Sequence, residues 1–234
     1  MALIACPVKG KKKSADICAA FIAGAPRHAQ GRVFYGIDAS NMMEWDMARK
    51  TGTPWFAIDN SYFDNVRGQQ YRVARNALQI NAMSHASDGK RFDALGLTIS
   101  PVRKNLNGHV VIIEQSPSFM QFVGAPNWYR NEVALWKCDK RLRPWSADKL
   151  KLQTSLHGDL AGAWCLTTHS SAAAITALLA GIPVVVDKMS AVAGLRLSTD
   201  NSVDDRRQAF NVLADHQWTL NEMKEGMAWA KLGL

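Results

Sequence analysis

The sequence predicts an α/β protein of two lobes, each a mainly parallel sheet with crossover helices, the two facing a cleft and closed by C-terminal helices. Three observations predict it. Short apolar runs alternate with helical periodicity from the N-terminus to Asn60. The same alternation restarts at His109, after a long irregular stretch. The longest apolar segment, Ala172 to Val186, is interrupted by Gly181 and Pro183, so it reads as helix, turn and strand rather than a membrane span. Residues 1–108 then form the first lobe, 109–216 the second, and 217–234 a closing C-terminal helix.

The elements follow in order. Ala2 to Cys6 is an apolar strand, followed by a basic turn, Lys9-Gly10-Lys11-Lys12-Lys13. Ser14 is placed to cap a helix with Ile17, Phe21 and Ile22 on one face. Arg32 to Ile37 is a second strand that ends in Asp38. Asn41 and Glu44 have the spacing of a capping box for a helix ending near Lys50. Gly52 and Pro54 turn the chain into a third strand, Trp55 to Ile58, which ends at Asp59. From Asn60 to Gly108 only weak strand candidates occur, and a loop region of that length implies a functional or mobile surface.

His109 to Glu114 is a strong strand, followed by a loop with Ser116, Pro117 and Ser118. Pro126 suits the first turn of a helix. Lys140 to Trp145 reads as strand plus loop, and Trp164 to Thr168 as a strand. His169-Ser170-Ser171 is then a turn and Ala172 to Ala180 a helix. Gly181 closes that helix, and Ile182 to Val186 is the next strand. Two amphipathic helices, Val203 to Ala214 and Leu220 to Leu232, end the sequence.

Composition narrows the function classes. Hydrophobic residues are 47% of the 234, enough for a sizeable core, which excludes a disordered chain. The net charge of +8 favours partners or substrates that carry phosphates, or marks a merely basic enzyme. Cys6, Cys18, Cys138 and Cys165 form no C-x-x-C pair, which argues against zinc, and buried free thiols fit a reducing cytoplasm. The short apolar opening does not read as a signal peptide.

In parallel sheets ligands bind at the carboxyl ends of the strands. Asp38, Asp59, Gln115, Ser116 and His169 are all placed there. After Thr168, a buried strand opens into a helix through two serines, and free amides plus the helix dipole suit a phosphate. Ser170 and Ser171 read equally well as plain helix caps. Arg141 and Arg143 offer guanidinium forks for phosphate oxygens, or else a solvated basic face. Asp59 suits a general base for a hydroxyl acceptor, although an aspartate there also suits a turn, and Asp38 reads as structural or accessory. Tyr62, Arg67, Tyr71, Arg72 and Arg75, with Asn60, mix aromatics and cations as nucleic-acid surfaces do. Lys11, Lys12 and Lys13 extend that basic character, or form a solubilising turn.

The run from His169-Ser170-Ser171 through a small-residue helix to Ala177-Leu178-Leu179-Ala180-Gly181-Ile182-Pro183-Val184-Val185 resembles the donor segment of GT-B glycosyltransferases, whose two lobes are Rossmann-like. The resemblance implies donor contacts at His169, Ser170 and Ser171, within a donor-binding set that adds Gln115, Ser116, Arg141, Arg143 and Thr176. Thr176 stands where such enzymes place an acid that grips the ribose. The chain also resembles a group of small bacteriophage proteins through three motifs. These are Ile58-Asp59-Asn60-Ser61-Tyr62-Phe63, Tyr71 to Gln79, and Gln217 to Trp229. Arg143-Pro144 also recurs in that group.

Together the resemblances imply a glycosyltransferase that moves a sugar from a nucleotide-sugar, a UDP-sugar first, to a hydroxymethylated pyrimidine in phage DNA. They imply no required cofactor, no catalytic metal, double-stranded DNA as partner, no membrane, and the cytoplasm of the host. The target base would have to be flipped out of the duplex. Two alternatives stand beside it: transfer to a glycan or small molecule, and a non-catalytic nucleic-acid-binding module on a degenerate GT-B frame.

Overall fold

The computed structural model describes residues 2–145, 154–195 and 202–234. In chain order it contains β1 (Leu3–Pro7), α1 (Lys12–Ala23), β2 (Gly31–Tyr35), α2 (Met42–Thr51), β3 (Trp55–Asn60), β4 (Gln70–Arg75) and α3 (Lys90–Asp93). There follow β5 (His109–Ile113), α4 (Pro117–Phe122), α5 (Trp128–Leu135), β6 (Lys140–Arg143), α6 (Leu156–Leu160) and β7 (Ala163–Thr168). The chain ends with α7 (Ala173–Leu179), β8 (Val184–Val186), α8 (Val203–Asp215), β9 (Gln217–Thr219), α9 (Leu220–Lys224) and α10 (Met227–Lys231). No helix among the described residues is long and apolar enough to cross a membrane.

Two compact units divide the chain: Met1–Ile80 with Leu213–Leu234, and Asn81–Val212. The dividing line thus falls at Ile80 rather than 108, and the C-terminal segment is part of the first unit. The reason lies in the first sheet, whose order is β1-β2-β3-β4-β9. β1, β2 and β3 are parallel, while β4 runs antiparallel to both β3 and β9. The last strand of the chain therefore completes the first sheet.

Successive residues of a strand face opposite sides. On one side α1 lays Ile17, Cys18 and Phe21 onto Val33, Phe56, Ile58 and Val73. Trp218, Met223 and Trp229 join the same core, Trp229 stacking on Phe21 at 4.3 Å and donating from Nε1 to the Phe21 carbonyl. On the other side Trp45 of α2 stacks on Phe34 at 3.9 Å. Gly24 is required by proximity, since a Cβ there would stand 2.0 Å from the Met223 carbonyl oxygen.

Four local expectations change. β4 and β9 lie in stretches read as irregular or helical, because Arg72 and Gln217 interrupt their short apolar alternation. The helix expected over Leu220 to Leu232 is two short helices parted at Gly226, whose φ is +81°. Ser14 lies inside α1 and is buried, accepting from the Val8 N–H at 2.9 Å and donating to the Tyr35 carbonyl. The capping box uses Asp38 and Asn41 rather than Asn41 and Glu44.

The second unit holds an all-parallel sheet of order β6-β5-β7-β8. Every residue of β5 is buried, the mark of an interior strand in a parallel sheet. Pro117 does not extend a loop but starts α4, with Ser116 as its cap. The α7–β8 corner turns at Gly181, whose φ is +76° and whose absent Cβ would stand 2.0 Å from the Pro101 carbonyl oxygen.

Candidate active site at the ends of β5 and β7

In the second sheet the chain leaves β5 to one side, forms β6, and returns to the other side as β7. The connections diverge between β5 and β7, and such a switch point leaves a crevice at the carboxyl ends of the strands. Gln115 follows β5, and His169, Ser170 and Ser171 follow β7. Gln115 Oε1 accepts from the Ser170 N–H at 2.7 Å and from the Ser170 hydroxyl at 3.3 Å. One of the amides expected to receive a phosphate is therefore already engaged by the protein. Ser171 Oγ accepts from the Ala173 N–H at 3.3 Å. Among the described residues the N–H groups of Ser171 and Ala172 have no acceptor. Ser116 caps α4 through the Phe119 N–H, and Thr176 is buried within α7.

His169 is 3% exposed, so it offers no free charge at the surface. Its ring lies edge-on to Phe119 and Trp128, with Nδ1 3.2 Å from Ser170 Oγ and Nε2 4.0 Å from Asp187. Burial pushes its pKa below the ordinary histidine value, against the opposing pull of Asp187. The imidazole is thus neutral at neutral pH. The unfolded chain takes up this proton at a higher pH than the folded one. Stability contributed here is therefore complete above the free-chain pKa, about 6.5, and falls as the pH drops from there toward the folded value. Urea midpoints at pH 8 and about pH 5.5 should show this loss in the wild type and a smaller one in His169→Gln. Equal losses in the two proteins would contradict it.

Arg141 and Arg143, expected to meet phosphate, are committed to their own unit. Arg141 Nη1 donates to the Gly158 carbonyl at 2.8 Å. Arg143 forms an ion pair with Asp159, the two side chains 13% and 5% exposed, and donates to the Thr154 carbonyl at 3.1 Å. The Thr154 hydroxyl donates to the second Asp159 oxygen at 2.5 Å. A buried carboxylate needs such a cation, and this one ties the end of β6 to α6.

In the first unit Asp38 caps the turn at Ala39–Asn41, accepting from the Ser40 N–H at 3.0 Å. That bond holds its carboxyl below the usual carboxylate range. Asp38 thus has a local structural task. The Asp59 side chain is 46% exposed and lies directly across from Arg72 in the β3–β4 register, with Arg72 Nη2 at 2.6 Å. The other Asp59 oxygen accepts from the Asn60 N–H at 2.7 Å.

The residues expected to face DNA separate. Tyr62, Tyr71 and Arg72 are 1%, 4% and 8% exposed, so neither ring is placed to stack on a base. The alternation of β4 turns Tyr71 and Val73 into the core and Arg72 to the other face. Arg75 ends β4, opposite Phe56, and so stands at the far end of the sheet from Asp59. Arg67 lies 3.6 Å from Asp64. Lys12 pairs with Asp16 at 2.5 Å, the charge of Lys11 helps to lower the Asp38 pKa, and Lys13 lies over the Tyr35 and Tyr71 rings.

Sequence reasoning missed the cross-strand pair of Asp59 and Arg72. The signal was present as Tyr71-Arg72-Val73, an apolar–cation–apolar alternation that follows, after the connection 61–69, a strand ending in an acid.

These features define an α/β protein of two Rossmann-like units with mainly parallel sheets. The fold is shared with a solved structure described as Thermosulfurimonas dismutans KpsC, beta Kdo 2,4 transferase, at a TM-score of 0.56 and 11% identity. The likeness covers 94% of this chain and 92% of that one. No protein-family model matches the sequence, and no curated protein does.

Proposed function

We propose that this chain is a glycosyltransferase whose second unit binds a nucleotide-sugar at the β5–β7 switch point and whose first unit supplies Asp59 as base. The observation that carries the reading is the strand order β6-β5-β7-β8, which leaves Gln115 and the Ser171 and Ala172 amides at one crevice. A fold shared with a sugar transferase supports it. In the reaction the acceptor hydroxyl gives its proton to Asp59. Its oxygen bonds the anomeric carbon, and the bond from that carbon to the phosphate oxygen breaks, its electron pair leaving on the nucleotide. A UDP-sugar is the donor we propose first.

Calorimetry with UDP and UDP-sugars tests the site. Ser171→Ala should weaken binding about fivefold, the equivalent of ~1 kcal/mol for one lost hydrogen bond. Equal affinity in the variant would make Ser171 only a cap.

A hydroxymethylated pyrimidine in DNA is the second reading, favoured by the exposed lysines Lys9 and Lys11 on the turn after β1 and Lys13 in the first turn of α1. Lys11→Glu with Lys13→Glu should weaken binding to a hydroxymethylated duplex and flatten its dependence on salt, by roughly one unit of slope for each phosphate no longer neutralised. An unaltered slope would remove these lysines from any role in holding DNA.

A further inference from the structure

The three sequence motifs meet in the first unit. Asp59 and Tyr62 come from the first motif, Arg72 from the second and Gln217 from the third. Arg72 projects from β4 across to Asp59 on β3. Its guanidinium carbon lies 5.0 Å from the centroid of the Tyr62 ring. Tyr62 is itself fixed twice, its N–H donating to Gln217 Oε1 at 3.0 Å and its hydroxyl accepting from the Ile80 N–H at 3.3 Å. Gln217 Nε2 in turn donates to Gln70 Oε1 at 2.6 Å, tying β9 to β4.

We infer that Arg72 is a positioning residue for Asp59, held by the Tyr62 plate and the Gln217 brace so that the carboxylate keeps one orientation toward the acceptor. The inference rests on the proposed role of Asp59 as base. Three features favour it over a pair that merely fastens two strands. The pair is lopsided: the Arg72 side chain is 10% exposed and the Asp59 side chain 46%, so the buried partner serves an open one. Arg72 Nε is buried without an acceptor, and the one ionic partner of the guanidinium among the described residues is Asp59, through Nη2. Asp59 Oδ2 takes one bond, from Arg72, and keeps a further lone pair, while Oδ1 accepts from both the N–H and the side-chain amide of Asn60. The Asn60 side chain is steadied by the Tyr35 hydroxyl at 3.1 Å. Rotation of the carboxylate is blocked while its outer side stays open, the condition for taking a proton in a fixed direction.

The test compares wild type, Asp59→Asn, Arg72→Lys, Arg72→Met and Arg72→Ala, using release of UDP from the UDP-sugar that wild type turns over. Thermal melts identify the folded variants. Arg72→Met should lower kcat at least about tenfold with donor KM within about twofold. Arg72→Lys, which keeps charge without the planar fork, should recover only part of it. Guanidinium ion in millimolar amounts should raise kcat of Arg72→Ala and leave Asp59→Asn unchanged, and this reading holds even if the methionine variant does not fold. Wild-type kcat in a folded Arg72→Met, with only its melting temperature lowered, would overturn the inference while leaving Asp59 as base. Wild-type turnover in Asp59→Asn would remove the base assignment instead, and the positioning role with it.

Discussion

Asp59→Asn should lower turnover by about 10²- to 10⁴-fold, the range a positioned general base contributes, and leave UDP affinity at the wild-type level. The two effects separate because Asp59 belongs to the first unit, while the proposed phosphate contacts belong to the second. The substitution keeps the size of the side chain and one acceptor oxygen for Arg72, which limits the harm to the fold. It removes the one property required for the chemistry, the capacity to take the acceptor proton. Asp38→Asn serves as the contrast. That carboxylate is occupied by the Ser40 N–H, and its loss should touch stability more than rate. Equal activity losses in the two variants would contradict this division of labour.

Arg143→Met carries the largest expected cost in stability. It would leave Asp159 with only the Thr154 hydroxyl as side-chain partner in a position 3% exposed. Removing one member of a buried pair costs about 3–5 kcal/mol, because the remaining charge must stay buried or take up a proton. For a protein of this size the melting temperature should fall by roughly 6–20 °C. UDP affinity, measured in the cold on folded protein, should match wild type. A stable variant that no longer binds UDP would return Arg143 to the phosphate site suggested by the sequence.

The elements legible in the sequence are those that announce themselves locally. β5 is marked by the apolar run Val110 to Ile113, and the α7–β8 corner by Gly181 and Pro183. The placing of Gln115, Ser170 and Ser171 after the carboxyl ends of such strands followed from them, whereas the strand order that makes a switch point there did not. Its internal bonding did not follow, because Gln115 and Ser170 are 55 residues apart and nothing in either segment shows that they meet. Arg143 was open to reading as a phosphate ligand because α6, which brings Asp159 to it, is too short to carry a periodicity. The first sheet hid most. β9 reaches β4 from 147 residues away, and β4 itself mixes Gln, Tyr and Arg in proportions that suit a nucleic-acid surface as well as a strand. Only the pairing shows that Tyr71 points into the core and that Arg72 has an acid to hold.

The most direct measurement is calorimetric titration of the protein with a series of nucleoside mono- and diphosphates, repeated on Ser171→Ala. One nucleotide, UDP first, should bind at a single site and bind more weakly to the variant. If no nucleotide binds, the β5–β7 switch point is not a donor site; wild-type affinity in the variant would leave the backbone amides as the contacts and reduce Ser171 to a cap.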